Sequence, residues 1–442
     1  MRDTNDNGTI VPNANLHYET DLDYAVRINR WLLKPLGAWP MSHDAGGAEQ
    51  TVARIAVVVC SFLLGFVFVP GSLYTFVKER NTGARVKLVG ALSFCVMAIF
   101  KYCSLITGRR EIGRCISHLA ADWRSVGSSG HRDIMLENAM FGRYGSVVCA
   151  LFMYGGGLFY ACVMPMLRGS VTIAELNVTV RTLAYPSYYV FFDPQEDSVY
   201  EIVFSIHCCC AFVMHSVATA GCSLGVVFVM HACGQLEILM SRLNSVVDGD
   251  GKNTDSLDSR FARVVRHHVR VLRFVSCTEK VLRTICLVEI GGCTLNLCLL
   301  GHYFLLEWEQ SDAVAILTYT ILLTSFTFNI FLFCYIGDLL TDECRKVGET
   351  TYMIDWYRLP GRKALDLILT TATAHRPTTI TAGSLVELSR GTFCQVSSVK
   401  IFDANFSIAK IPRSTIDKSS HNGLQVVRTA VTYLNLLRTV VL

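Results

Sequence analysis

Charge is scarce in this sequence. Only 17% of its 442 residues are Asp, Glu, Lys or Arg, while 51% are hydrophobic and the mean hydropathy is +0.38, a balance that excludes a string of small soluble domains. No P-loop, HExxH motif or dinucleotide-type glycine fingerprint occurs, so no enzymatic activity is expected. The repeated segments of about ten alternating residues that build a membrane barrel are missing. The internal repeats and interrupted helices of a secondary transporter are missing too, although that class stays open as an alternative. The first 50 residues carry no apolar core; no cleavable secretory signal is read there, and the first span is expected to direct insertion. Cysteine is plentiful at 18 residues, yet the paired spacing of zinc sites is absent, and the run His207-Cys208-Cys209-Cys210 lies inside an apolar block. Most of these thiols read as small hydrophobes, and no metal or cofactor is expected.

The apolar residues come instead in blocks long enough to cross about 30 Å of hydrocarbon. These run from Ile55 to Phe76, Leu88 to Ile106, Gly145 to Met166, Ile202 to Met230, Thr284 to Leu306, Val314 to Ile336 and Val426 to Leu442. The expected fold is therefore all-α, a polytopic membrane protein with seven transmembrane helices. Basic residues set its direction: nine and eleven Lys and Arg fall between blocks four and five and blocks six and seven, against two between three and four and none between five and six. By the positive-inside bias the N-terminus is cytosolic and the C-terminus extracellular. Lys78, Arg80 and Arg85 run against the bias, and Asn177-Val178-Thr179 is a glycosylation acceptor on the side expected to face outward. This orientation is the reverse of a G-protein-coupled receptor.

After the sixth block, Leu339, Leu340, Val347, Tyr352, Ile354, Trp356 and Tyr357 recur at helical spacing among charged residues, and "KALDLILTTATA" follows Pro360-Gly361 with a second apolar face. Such faces must be covered by the chain's own bundle, by lipid headgroups or by another subunit, and large aromatics favour a protein interface. His267-His268 reads as part of an amphipathic helix in a basic run. Glu289, in the fifth block, is the costliest intramembrane acid and is expected near the cytosolic end, within reach of water.

The segments "GDLLTDECRKVGETTYMIDWYRLP", "HRPTTITAG" and "TYLNLLR", in that order, resemble the C-terminal signature of the insect odorant receptor family, and "HACGQLEIL" at 231–239 resembles the end of its fourth helix. The resemblance implies an odorant-gated, non-selective cation channel: four subunits around a pore lined by helix 7, an anchor of cytosolic helix extensions, and a heterotetramer with a shared odorant co-receptor in the plasma membrane. Its partners are that co-receptor, a small volatile ligand and the bilayer, with no nucleic acid. A gustatory-type receptor channel is the nearest alternative.

On this pattern the chain divides into a cytosolic segment 1–54, six helices with a ligand pocket in their outer half over 55–336, anchor helices 337–395 and the pore helix 426–442. Residues 396–425 interrupt the family pattern, and deleting them joins the anchor to the pore helix; a retained intron or a true insertion would each explain them. Tyr352, Trp356 and Tyr357 become anchor packing residues. Thr432, Leu436 and Thr439 share a helix face that would line the pore, Leu436 forming a hydrophobic constriction. A volatile ligand needs aromatic and aliphatic walls with few polar groups. Depth and family topology point to Val89, Ser93 and Phe94; Gly156, Phe159 and Tyr160, with Gly156 and Tyr160 on one helix face; Phe204, His207 and Cys208; Tyr303 and Phe304; and Tyr319. Ordinary helix packing is the competing account of each.

Overall fold

The computed structural model describes residues 15–41, 46–173, 178–248, 256–310, 313–358, 367–368, 371–373 and 379–394. Among them, six helices are long and apolar enough to cross a membrane. They coincide with the first six apolar blocks. The seventh block, with Thr432, Leu436 and Thr439, lies outside the described residues, as do the interruption at 396–425 and Asn177.

In chain order the helices are α1 (Tyr18–Leu33), α2 (Gly47–Leu73), α3 (Thr82–Thr107), α4 (Arg109–Ser125), α5 (Ser129–Leu158), α6 (Met164–Arg168), α7 (Asp197–Asp248), α8 (Leu257–Gln310) and α9 (Ala313–Met353). α2 ends in a π-turn, Tyr74–Lys78, and another π-turn, Phe159–Val163, joins α5 to α6. α3 starts where Asn81 Oδ1 accepts from the backbone N–H groups of Gly83 and Ala84, satisfying donors a helix start leaves open. Strands β1 (Ser170–Ile173) and β2 (Val178–Arg181) form an antiparallel hairpin, Ser170 opposite Arg181.

Burial decides which helix is central. The apolar window of α7 is 94% buried and that of α2 only 17%, so α7 is the core post and α2 presents Val58, Phe62 and Val69 outward, to lipid in a membrane setting. At 1.5 Å per residue, the 52, 54 and 41 residues of α7, α8 and α9 span about 78, 81 and 62 Å. That is two or more times the hydrocarbon thickness, so each runs on beyond it as an extension of the bundle. The boundary drawn at 336/337 falls in mid-helix.

Two elements of the lower bundle were not expected from sequence. α1 buries Ala25, Val26 and Leu33, and its Asp21 accepts two bonds of 2.7 Å from Arg132. Those bonds hold the Asp21 carboxyl below its ordinary range. α4 buries Ile112, Cys115, Leu119 and Trp123. Its Asp122 bonds His231 of α7 at 3.0 Å and Arg270 of α8 at 2.6 Å. Burial alone would raise the Asp122 pKa, but the His231 bond and the charges of His231 and Arg270 outweigh it and lower the net value. A lowered carboxylate stabilises the fold above its unfolded pKa, and that contribution is lost as pH falls through the folded value. Asp122→Asn should therefore destabilise the purified receptor by on the order of 3 kcal/mol at neutral pH, because Arg270 loses its counter-charge and the His231 bond its charged acceptor. The gap to wild type should close in acid, which thermal melting across a pH series would show.

Beyond α9, Trp356–Arg358 make one 3-10 turn. Strands β3 (Thr381–Ala382) and β4 (Val386–Glu387) form a small hairpin clasped to α8 and α9. Gly383 N donates to Arg283 O at 3.0 Å, Thr381 Oγ1 donates to Glu279 at 2.9 Å, and Arg390 pairs with Asp338. Gly383 sits at φ +64°, where a Cβ would also lie 2.8 Å from the Leu287 side chain; glycine is required.

Candidate ligand site

The upper half of the bundle is filled with rings. Phe94 of α3 stacks on His215 of α7 with centroids 4.9 Å apart and meets Phe326 of α9 edge-on at 5.8 Å. The His215 ring occupies the space where Gly157 has no side chain. Two turns up α7, His207 is fully buried and its Nε2 shares a 3.0 Å hydrogen bond with the Tyr189 hydroxyl. Tyr185 meets His207 edge-on at 5.8 Å, Tyr160 lies 6.3 Å from Tyr185, and Phe66 of α2 packs 5.2 Å from Tyr189. Among the described residues, Nδ1 of both His207 and His215 lacks a hydrogen-bond partner. An unpaired nitrogen in a dry site is costly, and a bound polar group would relieve it.

Tyr185 and Tyr189 come from the connection between β2 and α7. That segment folds down into the bundle mouth, burying Ala184, Tyr185, Ser187 and Tyr189 and bonding Tyr188 N to Pro70 O at 3.0 Å. It forms a plug over the rings. Its aromatic run "YPSYYVFF" was the legible signal, unusual in a loop that otherwise reads as solvent-facing.

The residues expected from sequence fall into two groups. Phe94, Gly156, Tyr160, His207 and Cys208 surround the rings just described: a Cβ on Gly156 would lie 2.6 Å from Ser325 Oγ, and Cys208 Sγ lies 3.3 Å from Cys162 Sγ. Phe204 stacks on Tyr200 at 5.9 Å, and Phe159 is half-buried. Val89, Tyr303, Phe304 and Tyr319 gather in a separate cluster with Val86, Leu299 and Ala315. There the Lys87 ammonium lies 5.8 Å and 5.7 Å from the Tyr303 and Tyr319 rings. Ser93 stands between the groups, 2.9 Å from Asn296 Oδ1. Gly156 and Tyr160 do not act as i,i+4 neighbours: Tyr160 is in the π-turn, whose extra residue turns it toward Tyr185.

Below the rings is a polar centre. The Lys101 ammonium of α3 pairs with the Glu289 carboxylate of α8, with side-chain exposures of 2% and 1%. Asn329 of α9 donates to Glu289, Cys293 Sγ–H donates to it at 3.0 Å, and Cys222 Sγ–H of α7 donates to Asn329 Oδ1 at 2.8 Å. Glu289 is thus sealed from water and neutralised by Lys101, not hydrated at the cytosolic end as expected. Charge needs either water or a partner inside apolar surroundings, and here the partner is protein. Lys101 was legible as the lone cation in the second apolar block.

Lower down, Tyr352, Trp356 and Tyr357 are 68%, 46% and 70% exposed. The chain's own bundle therefore leaves them uncovered.

A bundle of six described membrane-capable helices with buried rings under an aromatic plug defines a polytopic helical membrane protein. The chain belongs to the 7tm Odorant receptor family, whose family model matches residues 81–399. It is 26% identical over 132 residues to Odorant receptor 2a of Drosophila melanogaster, covering 30% of this chain and 33% of that one. It is 24% identical over 225 residues to Odorant receptor 10 of Aedes albopictus, covering 49% and 58%. The matched stretches thus span one third to three fifths of these curated relatives. The fold is similar to that of insect olfactory receptor OR5 from Machilis hrabei in complex with eugenol, with TM-score 0.75 and 12% identity over 89% of this chain and 99% of that one. A second structure of that receptor gives 0.71 and 14% over 88% and 98%. The chain is thus a multi-pass membrane protein of the odorant receptor family.

Proposed function

We propose that the chain is the ligand-tuning subunit of an odorant-gated, non-selective cation channel, with its N-terminus in the cytosol and its C-terminus outside. The observation that carries the ligand reading is the ring array of Phe94, Tyr160, Tyr185, His207 and His215, mostly aromatic carbon and holding two imidazole Nδ1 atoms without partners. Such a site suits a small volatile of mainly apolar surface with one hydroxyl or carbonyl, a class that includes the eugenol bound by the Machilis receptor. Burial supplies most of the affinity, at about 25 cal/mol per Å² of apolar area, and the imidazoles and Ser93 supply discrimination. Phe159, Phe204 and Cys208 complete its wall. Val89, Tyr303, Phe304 and Tyr319 form a second layer, linked to the first through Ser93.

Ligand binding opens the pore only through tighter binding to the open state. Helix 7 of four subunits would form that pore, with Thr432, Leu436 and Thr439 facing the ions and Leu436 closing it by dewetting. The β3–β4 hairpin, which precedes that segment in the sequence, is fastened to α8 and α9, an arrangement that supports transmission from bundle to pore. Exposed Tyr352, Met353, Trp356 and Tyr357 form an aromatic patch of the sort that other subunits cover, here an odorant co-receptor.

Patch-clamp recording tests this reading directly, on cells expressing the chain with or without residues 396–425 and with or without a co-receptor. A volatile-evoked cation current that needs the co-receptor, survives G-protein blockade and grows tenfold or more when 396–425 are deleted is the expected result. Saturable ligand uptake without current would instead mark a transporter and end the channel reading. Epitope tags at each terminus on intact cells check the orientation.

A further inference from the structure

At the end of the bundle opposite the rings, α4 and α8 part to leave a cleft of about 270 Å³. Glu111, Arg114 and His118 line it from α4, at spacings of three and four that put them on one helix face; Arg273, Ser276 and Lys280 face them from α8 at the same spacing. Arg114 is held by Glu111 at 2.6 Å. One turn away on α8, Arg270 is held by Asp122. Arg273 and Lys280, however, have no ion-pair partner among the described residues. Arg114, Arg273 and Lys280 thus face one carboxylate, leaving two positive charges uncompensated.

The depth of the cleft narrows the choice of anion. Read from the apolar blocks, the hydrocarbon edge lies near Ile106 at the foot of α3 and Thr284 on α8. Lys280 is four residues and Arg273 eleven residues past that edge, about 6 Å and 16 Å along the helix. A headgroup layer is about 5–8 Å thick on each side, so the cleft begins among lipid phosphates and continues into water. A simple diacyl phosphate would meet only Lys280, since Arg114 is eight residues and about 12 Å past Ile106. A headgroup carrying further phosphates on a ring would reach on to Arg114 and Arg273. The volume lies at the small end of ligand sites, enough for a headgroup whose acyl chains stay in the adjoining leaflet. Basic pockets between membrane helices on the cytosolic side are built for such headgroups.

We propose that this cleft binds the phosphorylated headgroup of an inner-leaflet phosphoinositide, tying α4 to α8. The inference rests on the cytosolic placement of this end proposed above. It is tested on the full-length receptor purified in detergent, where both ends are accessible, by fluorescence polarisation with labelled dioctanoyl phosphatidylinositol 4,5-bisphosphate. Arg273→Gln/Lys280→Gln should weaken binding tenfold or more, and Ser276→Glu, which places a carboxylate in the cleft, should do the same. Arg266→Gln, the same one-unit charge change as Ser276→Glu but on an exposed part of α8, should leave binding unaltered. Undiminished binding to the cleft variants, or none to the wild type, overturns the site whatever the orientation. Equal competition by dioctanoyl phosphatidylserine would reduce it to general attraction, and equal competition by soluble inositol trisphosphate would assign it to a free phosphate and not a lipid; either result ends the lipid proposal. Tags showing this end outside would sink the orientation while leaving the detergent result standing.

Discussion

Lys101→Met is expected to remove most of the receptor from the cell surface, although it replaces an intramembrane charge with an apolar chain of similar length. The reason lies in what it leaves behind. Glu289 would stay sealed at 1% exposure with only Asn329 and Cys293 as donors, and nothing would balance its charge. Breaking a buried pair from one side costs about 3–5 kcal/mol, a large part of the 5–15 kcal/mol that holds a typical fold together. Glu289→Gln should be nearly as damaging, since it strands the Lys101 ammonium. Lys101→Met/Glu289→Met removes both charges, and replacement of a whole pair by apolar groups is often neutral, so surface amount should return to within about twofold of wild type. Surface biotinylation beside fluorescence-detected melting reads both effects. If the single variants match wild type, or the double variant is as poor as either, the pair does not hold α3 to α8.

The same pair shows where the sequence was readable. Six of the crossings could be marked because 20-residue apolar blocks have few other uses, and the long extensions of α8 and α9 were foreshadowed by the amphipathic run around His267-His268 and the helical spacing after Ile336. Glu289 was visible as an anomaly, but its partner stood 188 residues earlier in the chain, and no local pattern says which helices will touch. The proposed ligand residues met the same limit. Depth marked Phe94, Tyr160 and His207, which lie in the ring array, but not its His215, Tyr185 and Tyr189. Tyr185 and Tyr189 sit in a connection that polarity marks as external, and only its folding back onto Pro70 brings them inside. The shift of Tyr160 away from Gly156 was likewise hidden, since a π-turn adds one residue to a helix without a breaker to announce it. α1 was overlooked for a related reason: its apolar face is narrow, and its stability comes from Arg132 and the lower bundle more than from its own composition.

The ring array leads to the other large effect. His215 lies against Phe94 only because Gly157 offers no side chain in the space its imidazole fills. Gly157→Ala should push that ring aside at a cost of about 1–3 kcal/mol and displace it from the proposed ligand volume, abolishing or shifting at least tenfold the response to the best volatile. His215→Ala has the opposite character: it leaves a void beside Phe94 and Phe326 that a longer ligand can fill. Each extra methylene buried there adds about 0.8 kcal/mol, so along a homologous series the optimum should move to larger members, with about a fourfold gain per carbon until the space is full. Gly157→Ala/His215→Ala separates folding from recognition, because the new methyl then meets no ring. Its surface amount should recover while its preference follows the His215→Ala variant. Dose–response curves in the presence of the co-receptor, normalised to surface receptor, make the comparison. An unchanged rank order of volatiles in all three variants would mean that the rings only pack the bundle and that ligands bind elsewhere, whereas a shifted optimum that follows position 215 alone places the ligand against α7.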